Sequence, residues 1–301
     1  MKVLLAGASG MIGRAALAAL KADGHEVARL VRRPASAPDE IPWNPSAGEI
    51  PSDTCRAFDA VVNLCGAPIG GERWTAKRRN ELKASRIDAT QTLGKVFGQG
   101  GPRILVNSSA VGIYGDRGNL ELFESSQPGD GFLAGLCRDW EDAASAAGKG
   151  EAQVVCLRFG MVLSQGGGAL ERMIPFFRAG LGAPLGSGRQ WVSWVSLDDA
   201  AGAICFALSH AGISGPINVV SPNAVTNAGF TRALGRIFGR QWVLAIPRFA
   251  LKAAYGPIAD EVLLASAHVV PSKLLKAQYP FRYSNLEDAL YQALALEKAE
   301  P

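Results

Sequence analysis

Histidine is scarce in this chain, and cysteine shows no pattern. Only His25, His210 and His268 occur in 301 residues, too scattered to suggest a metal cluster with acidic neighbours, so no metal is expected. Cys55, Cys65, Cys137, Cys156 and Cys205 are odd in number, widely spaced and without a C-x-x-C, which argues against a disulfide framework or a zinc site and fits a reducing cytosol. Long charge runs are missing too. The net charge is +4, and the longest basic clusters, "KRR" at Lys77 to Arg79 and "VRR" at Val31 to Arg33, are short for a nucleic-acid surface. No apolar run is long enough to span a membrane, and the start "MKVLLAGASG" is too short in its apolar part, and too interrupted by glycine, for a signal peptide. A soluble, cytoplasmic protein with neither a nucleic-acid nor a membrane partner is expected.

What is present is ordinary globular material: 48% hydrophobic and 19% charged residues, enough for a core in one large domain or two modest ones. "KVLLAG" has strand length, "RAALAALKADG" is helical and stops at Gly24, and "HEVARLV" supplies the next β-rich run. That βαβ unit implies a parallel pair. His25 at its entrance reads as a solvent-facing turn residue. "AFDAVVNLCG", "RILVNSSAV" and "QVVCLRFGMVL" continue the strands, with helices at "TAKRRNELKASRIDATQTLGKVF" and "CRDWEDAASAA". The alternation predicts an α/β fold, a doubly wound parallel sheet (Rossmann), with a smaller, mostly helical C-terminal substrate region. The expected division is 1–165 for the dinucleotide-binding domain with 192–220 returning to it, and 166–191 plus 221–301 for the substrate side. Ser284-x-x-Glu287 reads as a capping box, and Asp198 and Asp199 as caps of the helix "DAAGAICFAL".

Gly7, Gly10 and Gly13 in "GASGMIG" lie between a strand and a helix, where a tight turn, close backbone approach and a helix N-terminus suit a pyrophosphate. Gly7, Ser9, Gly10, Met11, Ile12 and Gly13 are therefore assigned to a dinucleotide. Just past the second strand, where an NAD site carries an acid for the ribose 2′-hydroxyl, stand Val31, Arg32 and Arg33. Two guanidinium groups suit a 2′-phosphate, so NADP is favoured; the alternative is one arginine on the surface and the other idle.

"GASGMIG", "VNLCGAPI", "SSAVGIYG", "LRFGMVLS" and "PLGSGRQWVSWVSLDDAA" together resemble the atypical extended short-chain dehydrogenases/reductases, in the group of sugar-nucleotide-epimerase-like, NADP-dependent oxidoreductases. The likeness covers nearly the whole chain, including "RWTAKRRNELKASRI" and the tail "FALKAAYGPIADEVLLASAHVVPSKLL". The resemblance implies that Arg32, Leu64, Cys65, Glu81 and Arg86 line the dinucleotide. Gly66 and Ala67 follow the strand end at Asn63, on the side where such sheets bind ligands, and Cys65 reads as a small packing residue.

In that superfamily a Tyr and a Lys four apart on a helix pass the proton while the nicotinamide handles hydride. Aligning on Trp140 and Glu141 puts Leu133 and Cys137 at those positions, and neither replaces its counterpart. Ser108 or Ser109 could polarise a carbonyl, Ser108 being assigned to the cofactor and Ser109 to the chemistry. Tyr114 is the remaining phenol and, with Ser109, the catalytic candidate as proton donor, set against a structural role in hydrogen-bonding a loop. On the substrate side, Arg189 and Gln190 read as polar anchors and Trp191 and Trp194 as flat walls, or the tryptophans as core. The expected function is an NADP-dependent oxidoreductase or epimerase-like enzyme acting on a small molecule, as monomer or homodimer, with an NADPH-sensing binding protein as its rival.

Overall fold

The computed structural model describes residues 1–148, 150, 152–240 and 244–296, so 241–243 and 297–301 of the expected C-terminal region lie outside the described residues. The chain forms two compact units. One comprises Met1–Ala110, Leu136–Arg158 and Ala201–Ile217, and the other Val111–Gly135, Phe159–Ala200 and Asn218–Pro301.

A seven-stranded sheet runs in the order Gly215–Val219, Gln153–Phe159, Ile104–Ala110, Ala60–Asn63, Lys2–Ala6, Glu26–Val31, Glu40–Pro42. The five strands from Ile104–Ala110 to Glu40–Pro42 are parallel, with Val3 opposite both Val27 and Ala60. Lys2–Ala6 and Ala60–Asn63 are buried on both faces, and this is why "VLLA" and "AVVN" read as nearly unbroken apolar runs. The chain adds strands first to one side of Lys2–Ala6 and then to the other. The carboxyl ends of Lys2–Ala6 and Ala60–Asn63 therefore form the switch point at which such sheets take ligands.

The core of the first unit gathers Leu4, Leu30, Val61, Leu93, Phe97 and Leu105. The helix Ala76–Leu93, capped by the Thr75 side chain, departs from a simple apolar stripe. Its buried face carries Arg78 and Arg86 beside Leu82 and Leu93. In the second unit Leu170, Ile174, Phe177, Trp194, Phe230 and Leu290 share a core.

Four local expectations are corrected. "QVVCLRFGMVL" is two strands broken at Gly160, where a Cβ would lie 2.5 Å from the Ser193 carbonyl oxygen; Met161–Leu163 pairs instead with Trp194–Ser196. The final helix, Leu286–Ala293, is capped by Asn285, whose Oδ1 accepts from Glu287 and Asp288 N–H, not by Ser284. His25 is half-buried, with its Nδ1 shielded from solvent and without a hydrogen bond among the described residues. At Leu197–Ser209 the hydroxyl of Ser196 caps Asp199 N–H, while the Asp199 carboxylate accepts from Ser196 and from Arg282 and Tyr283 N–H. The cap is therefore Ser196 and not Asp198 or Asp199 as expected, and the Asp199 carboxylate is taken up by the Ser196 hydroxyl and the 282–283 backbone.

Candidate functional site

The glycine turn is shaped by contacts that a side chain would destroy. Gly7 has φ +84°, and a Cβ there would stand 2.7 Å from the Leu64 carbonyl carbon and oxygen. At Gly13 a Cβ would stand 2.1 Å from Gly7 O. Gly10 enters the helix Met11–Ala22 in an extended conformation, with no side-chain cap and no acid in the first turn. Its first N–H groups are thus left for a ligand, and the dipole there favours an anion.

Loop 64–67 is braced from below. Asn63 Nδ2 donates to Asn107 Oδ1 at 2.7 Å and Thr90 Oγ1 at 3.0 Å, and Asn63 Oδ1 accepts from Cys65 N–H at 3.2 Å. Trp140 Nε1 adds a bond to Thr90 at 3.1 Å. Ala67 N–H donates to Ser85 and Ala67 O accepts from Arg86, both at 3.0 Å. Arg86 lies buried, 5.1 Å above the Trp140 ring centroid, and a Cβ at Gly66 would meet its Cζ at 2.9 Å. Burial brings its guanidinium down to about 10, so it remains a cation at neutral pH. Arg86 thus holds the loop through the backbone. Glu81 is more remote: it is exposed and pairs at 2.7 Å with Arg78, which donates to Pro68 O. Burial pushes the Cys65 thiol up to about 12, against the pull of Arg32, and suits a packing residue.

The two arginines after the second strand are dissimilar. Arg33 forks onto the Glu40 carboxylate at 2.7 and 2.8 Å. Arg32 is exposed and has no hydrogen-bond or ion-pair partner among the described residues.

At the end of Ile104–Ala110 the two serines also divide. Ser109 donates to Glu141 Oε1 at 2.6 Å, and Glu141 takes two bonds from Arg158, each 2.8 Å. Ser108, 7% exposed, has no hydroxyl partner among the described residues. Cys137 is buried close to Arg86, Glu141 and Ala110. Burial first, and the Glu141 charge second, push its thiol up to about 12, far from a reactive thiolate. Leu133 N–H donates to Glu261 Oε2 at 2.8 Å.

Tyr114 is fully buried, and its phenol donates to Asn218 Oδ1 at 2.6 Å. Among the expected pocket residues, Trp194 is 0% exposed and donates from Nε1 to Asn223 O, so its indole offers no wall to a ligand. Gln190 is likewise buried, with Nε2 on Leu185 O and Leu263 O. Trp191 is half-buried and stacks on His268 at 4.1 Å, and Arg189 is exposed. Burial and these bonds tie the Trp194 indole N–H and the Gln190 amide nitrogen into the second unit.

Sequence reasoning used Trp140 and Glu141 only for alignment and did not find Thr90, Asn107 or Arg158. A buried-face polar residue at helical spacing, as with Arg78, Arg86 and Thr90, was the signal available. Among the described residues no group of three or more His, Cys, Asp or Glu could hold a metal, and no helix is long and apolar enough to cross a membrane.

Comparison with known proteins adds the lineage. The model of the NAD dependent epimerase/dehydratase family matches residues 3–220, and a domain of unknown function (DUF1731) matches 246–293. Epimerase family protein ML0860 of Mycobacterium leprae is 44% identical over 97% of this chain and 95% of its own length. The crystal structure of human epimerase family protein SDR39U1 with NADPH superposes with a TM-score of 0.88 at 34% identity, covering 98% of this chain and 100% of that one. UDP-N-acetylglucosamine 4-epimerase from Bacillus cereus shares the fold, with a TM-score of 0.78 at 20% identity over 99% of this chain and 100% of that one. The chain belongs to the NAD dependent epimerase/dehydratase family, as an atypical extended short-chain dehydrogenase/reductase carrying the DUF1731 domain at its C-terminal end.

Proposed function

We propose that this chain is an NADP(H)-binding oxidoreductase or epimerase-like enzyme acting on a small molecule, with the cofactor held by the first unit. The observation that carries the reading is the uncapped helix N-terminus at Gly10 behind the glycine turn, joined by the unpartnered guanidinium of Arg32. The first suits a pyrophosphate and the second a 2′-phosphate. The human relative's crystal structure with NADPH supports the same cofactor here.

When bound, NADP(H) supplies hydride exchange at its nicotinamide ring. Gly7 to Gly13 would cradle its phosphates, loop 64–67 would be held against it by Arg86 and Asn63, and Ser108 would contact it. The usual tyrosine and lysine are replaced by Leu133 and Cys137, so the reading assigns the substrate-oxygen contact to Ser109. Its hydrogen goes to Glu141 and its lone pairs stay available to accept from a substrate hydroxyl. Arg158 donates two bonds to the same carboxylate and fixes its orientation behind the serine. Burial and the bond to Asn218 support a structural role for Tyr114.

The test is NADPH oxidation with aldehydes and ketones, NADP⁺ reduction with the corresponding alcohols, and product analysis of nucleotide sugars, whose epimerisation leaves the cofactor's redox state unchanged. Wild type is expected to turn over at least one of them. Ser109→Ala should lower that rate by about a hundredfold or more, the size of a lost proton-handling group, while Tyr114→Phe retains it if the variant folds. Turnover unaffected by Ser109→Ala would contradict the assignment. Tight NADPH binding with no turnover across the panel would favour a cofactor-sensing protein, to which Leu133 and Cys137 are already suited.

A further inference from the structure

The segment Arg29–Glu40 carries five charged side chains, and four of them form two forked pairs joined in one cluster. Arg29 forks onto Asp39 at 2.6 and 3.0 Å, and Arg33 onto Glu40. Arg33 Nη1 also donates to Pro34 O and Ser36 Oγ, each at 2.9 Å. The Glu40 side chain is only 2% exposed and accepts as well from Ser36 N–H at 2.8 Å and Ser36 Oγ at 3.0 Å, with Arg29 Nη2 at 3.3 Å. If Arg33 turned away, that buried carboxylate would lose two charge-assisted bonds, a costly exchange for a side chain in half-contact with water. Arg32 is the cation left over.

We propose that Glu40 is a specificity-determining residue. Its carboxylate takes Arg33 out of phosphate recognition and leaves the 2′-phosphate of NADP(H) to Arg32. The inference rests on the NADP(H) reading above and adds which arginine reads the phosphate and what restrains the other. The Arg33 bonds, more than any other influence, hold the Glu40 carboxyl down at about 2, so the pair is ionised and closed throughout the neutral range. Arg32 is felt by the Cys65 thiol, on the loop that packs over Gly7, so its charge acts on the ligand side of the sheet. Arg29, Arg33 and, at 3.8 Å from Asp39, Lys21 are drawn onto Asp39 and Glu40, and Arg32 is the guanidinium of this segment left to face a 2′-phosphate.

The experiment titrates NADPH and NADH into the full chain as wild type, Arg32→Ala, Arg33→Ala and Glu40→Gln, with a thermal melt of each. Arg32→Ala should weaken NADPH by about tenfold or more and leave NADH unchanged, the loss of one charged hydrogen-bonding group. Arg33→Ala should cost clearly less of the NADPH preference than Arg32→Ala, because it removes no phosphate contact and only uncovers the Glu40 charge. Glu40→Gln keeps the shape and one acceptor oxygen but gives up the charge, and should bind NADPH several-fold tighter with NADH unchanged. A preference lost in Arg33→Ala as fully as in Arg32→Ala, or an unchanged ratio in a folded Glu40→Gln, would overturn the inference while leaving the NADP(H) reading intact. Equal affinities in wild type would instead overturn the reading and the inference together. Should Glu40→Gln fail to fold, the Arg33→Ala ratio alone decides.

Discussion

Glu141→Ala is expected to destabilise the protein by about 3 to 5 kcal/mol, the usual cost of removing one partner from a buried ion pair. Arg158 is 5% exposed, and its bidentate hold on Glu141 accounts for two bonds of 2.8 Å. Alanine takes away that counter-charge and also the acceptor of Ser109. Surface pairs in this chain, such as Arg236 with Glu287, are worth only about 0 to 1 kcal/mol, so the two classes are readily separated. Denaturant unfolding with an unchanged slope would read the difference as a shift of midpoint. The double variant Glu141→Leu with Arg158→Met should regain much of the loss, since an apolar pair of similar volume needs no desolvation of charge. A loss below about 1 kcal/mol would mean that water reaches the pair and that Ser109 is not held by it.

Gly13→Ala is expected to remove dinucleotide binding, with an overpacking cost of about 1 to 3 kcal/mol in stability. The added Cβ would stand 2.1 Å from Gly7 O and 2.9 Å from Ala8 Cα, and both are backbone atoms that can give only by moving the turn. Moving the turn carries the helix N-terminus away from the phosphates it would hold. Gly24→Ala is the matched control. Gly24 has φ +78° but nothing within 4 Å of a new Cβ, so it should cost only the left-handed strain of about 1 to 2 kcal/mol and leave NADPH affinity unchanged. Calorimetric titration beside a thermal melt separates the two effects. NADPH binding by Gly13→Ala equal to that of Gly24→Ala would show that the glycine turn is not the phosphate cradle.

The strand, turn and helix of the first thirty residues were legible because a continuous apolar run, a glycine triplet and a helical stretch ending at Gly24 are all local signals. Legible on the same ground was the distinct character of Arg32 and Arg33, which stand where a carboxylate would otherwise be read. What escaped were partnerships set by the sheet. Asn63 meets Asn107 only because Ala60–Asn63 and Ile104–Ala110 are neighbours in register, a relation 44 residues apart in the chain. Arg158 reads as one charge in an apolar strand until Glu141 is opposite it. Trp194 and Gln190 show the converse failure. A Gly- and Trp-rich stretch without period looks like a pocket rim, yet Trp194–Ser196 pairs with Met161–Leu163 and turns its indole into the core. The Asn285 cap shows a smaller one: Ser284 had the right spacing to Glu287, but the carbonyl of Ser284 is bonded by Asn223, and the next residue caps instead.

Cofactor choice follows most directly from Arg32, and calorimetric titration of the purified chain with NADPH and with NADH measures it. The Arg32 guanidinium, without a partner among the described residues, predicts NADPH the tighter by about tenfold or more, with the gap narrowing as salt is raised because the contact is charged and exposed. Equal affinities, or a preference for NADH, would contradict it.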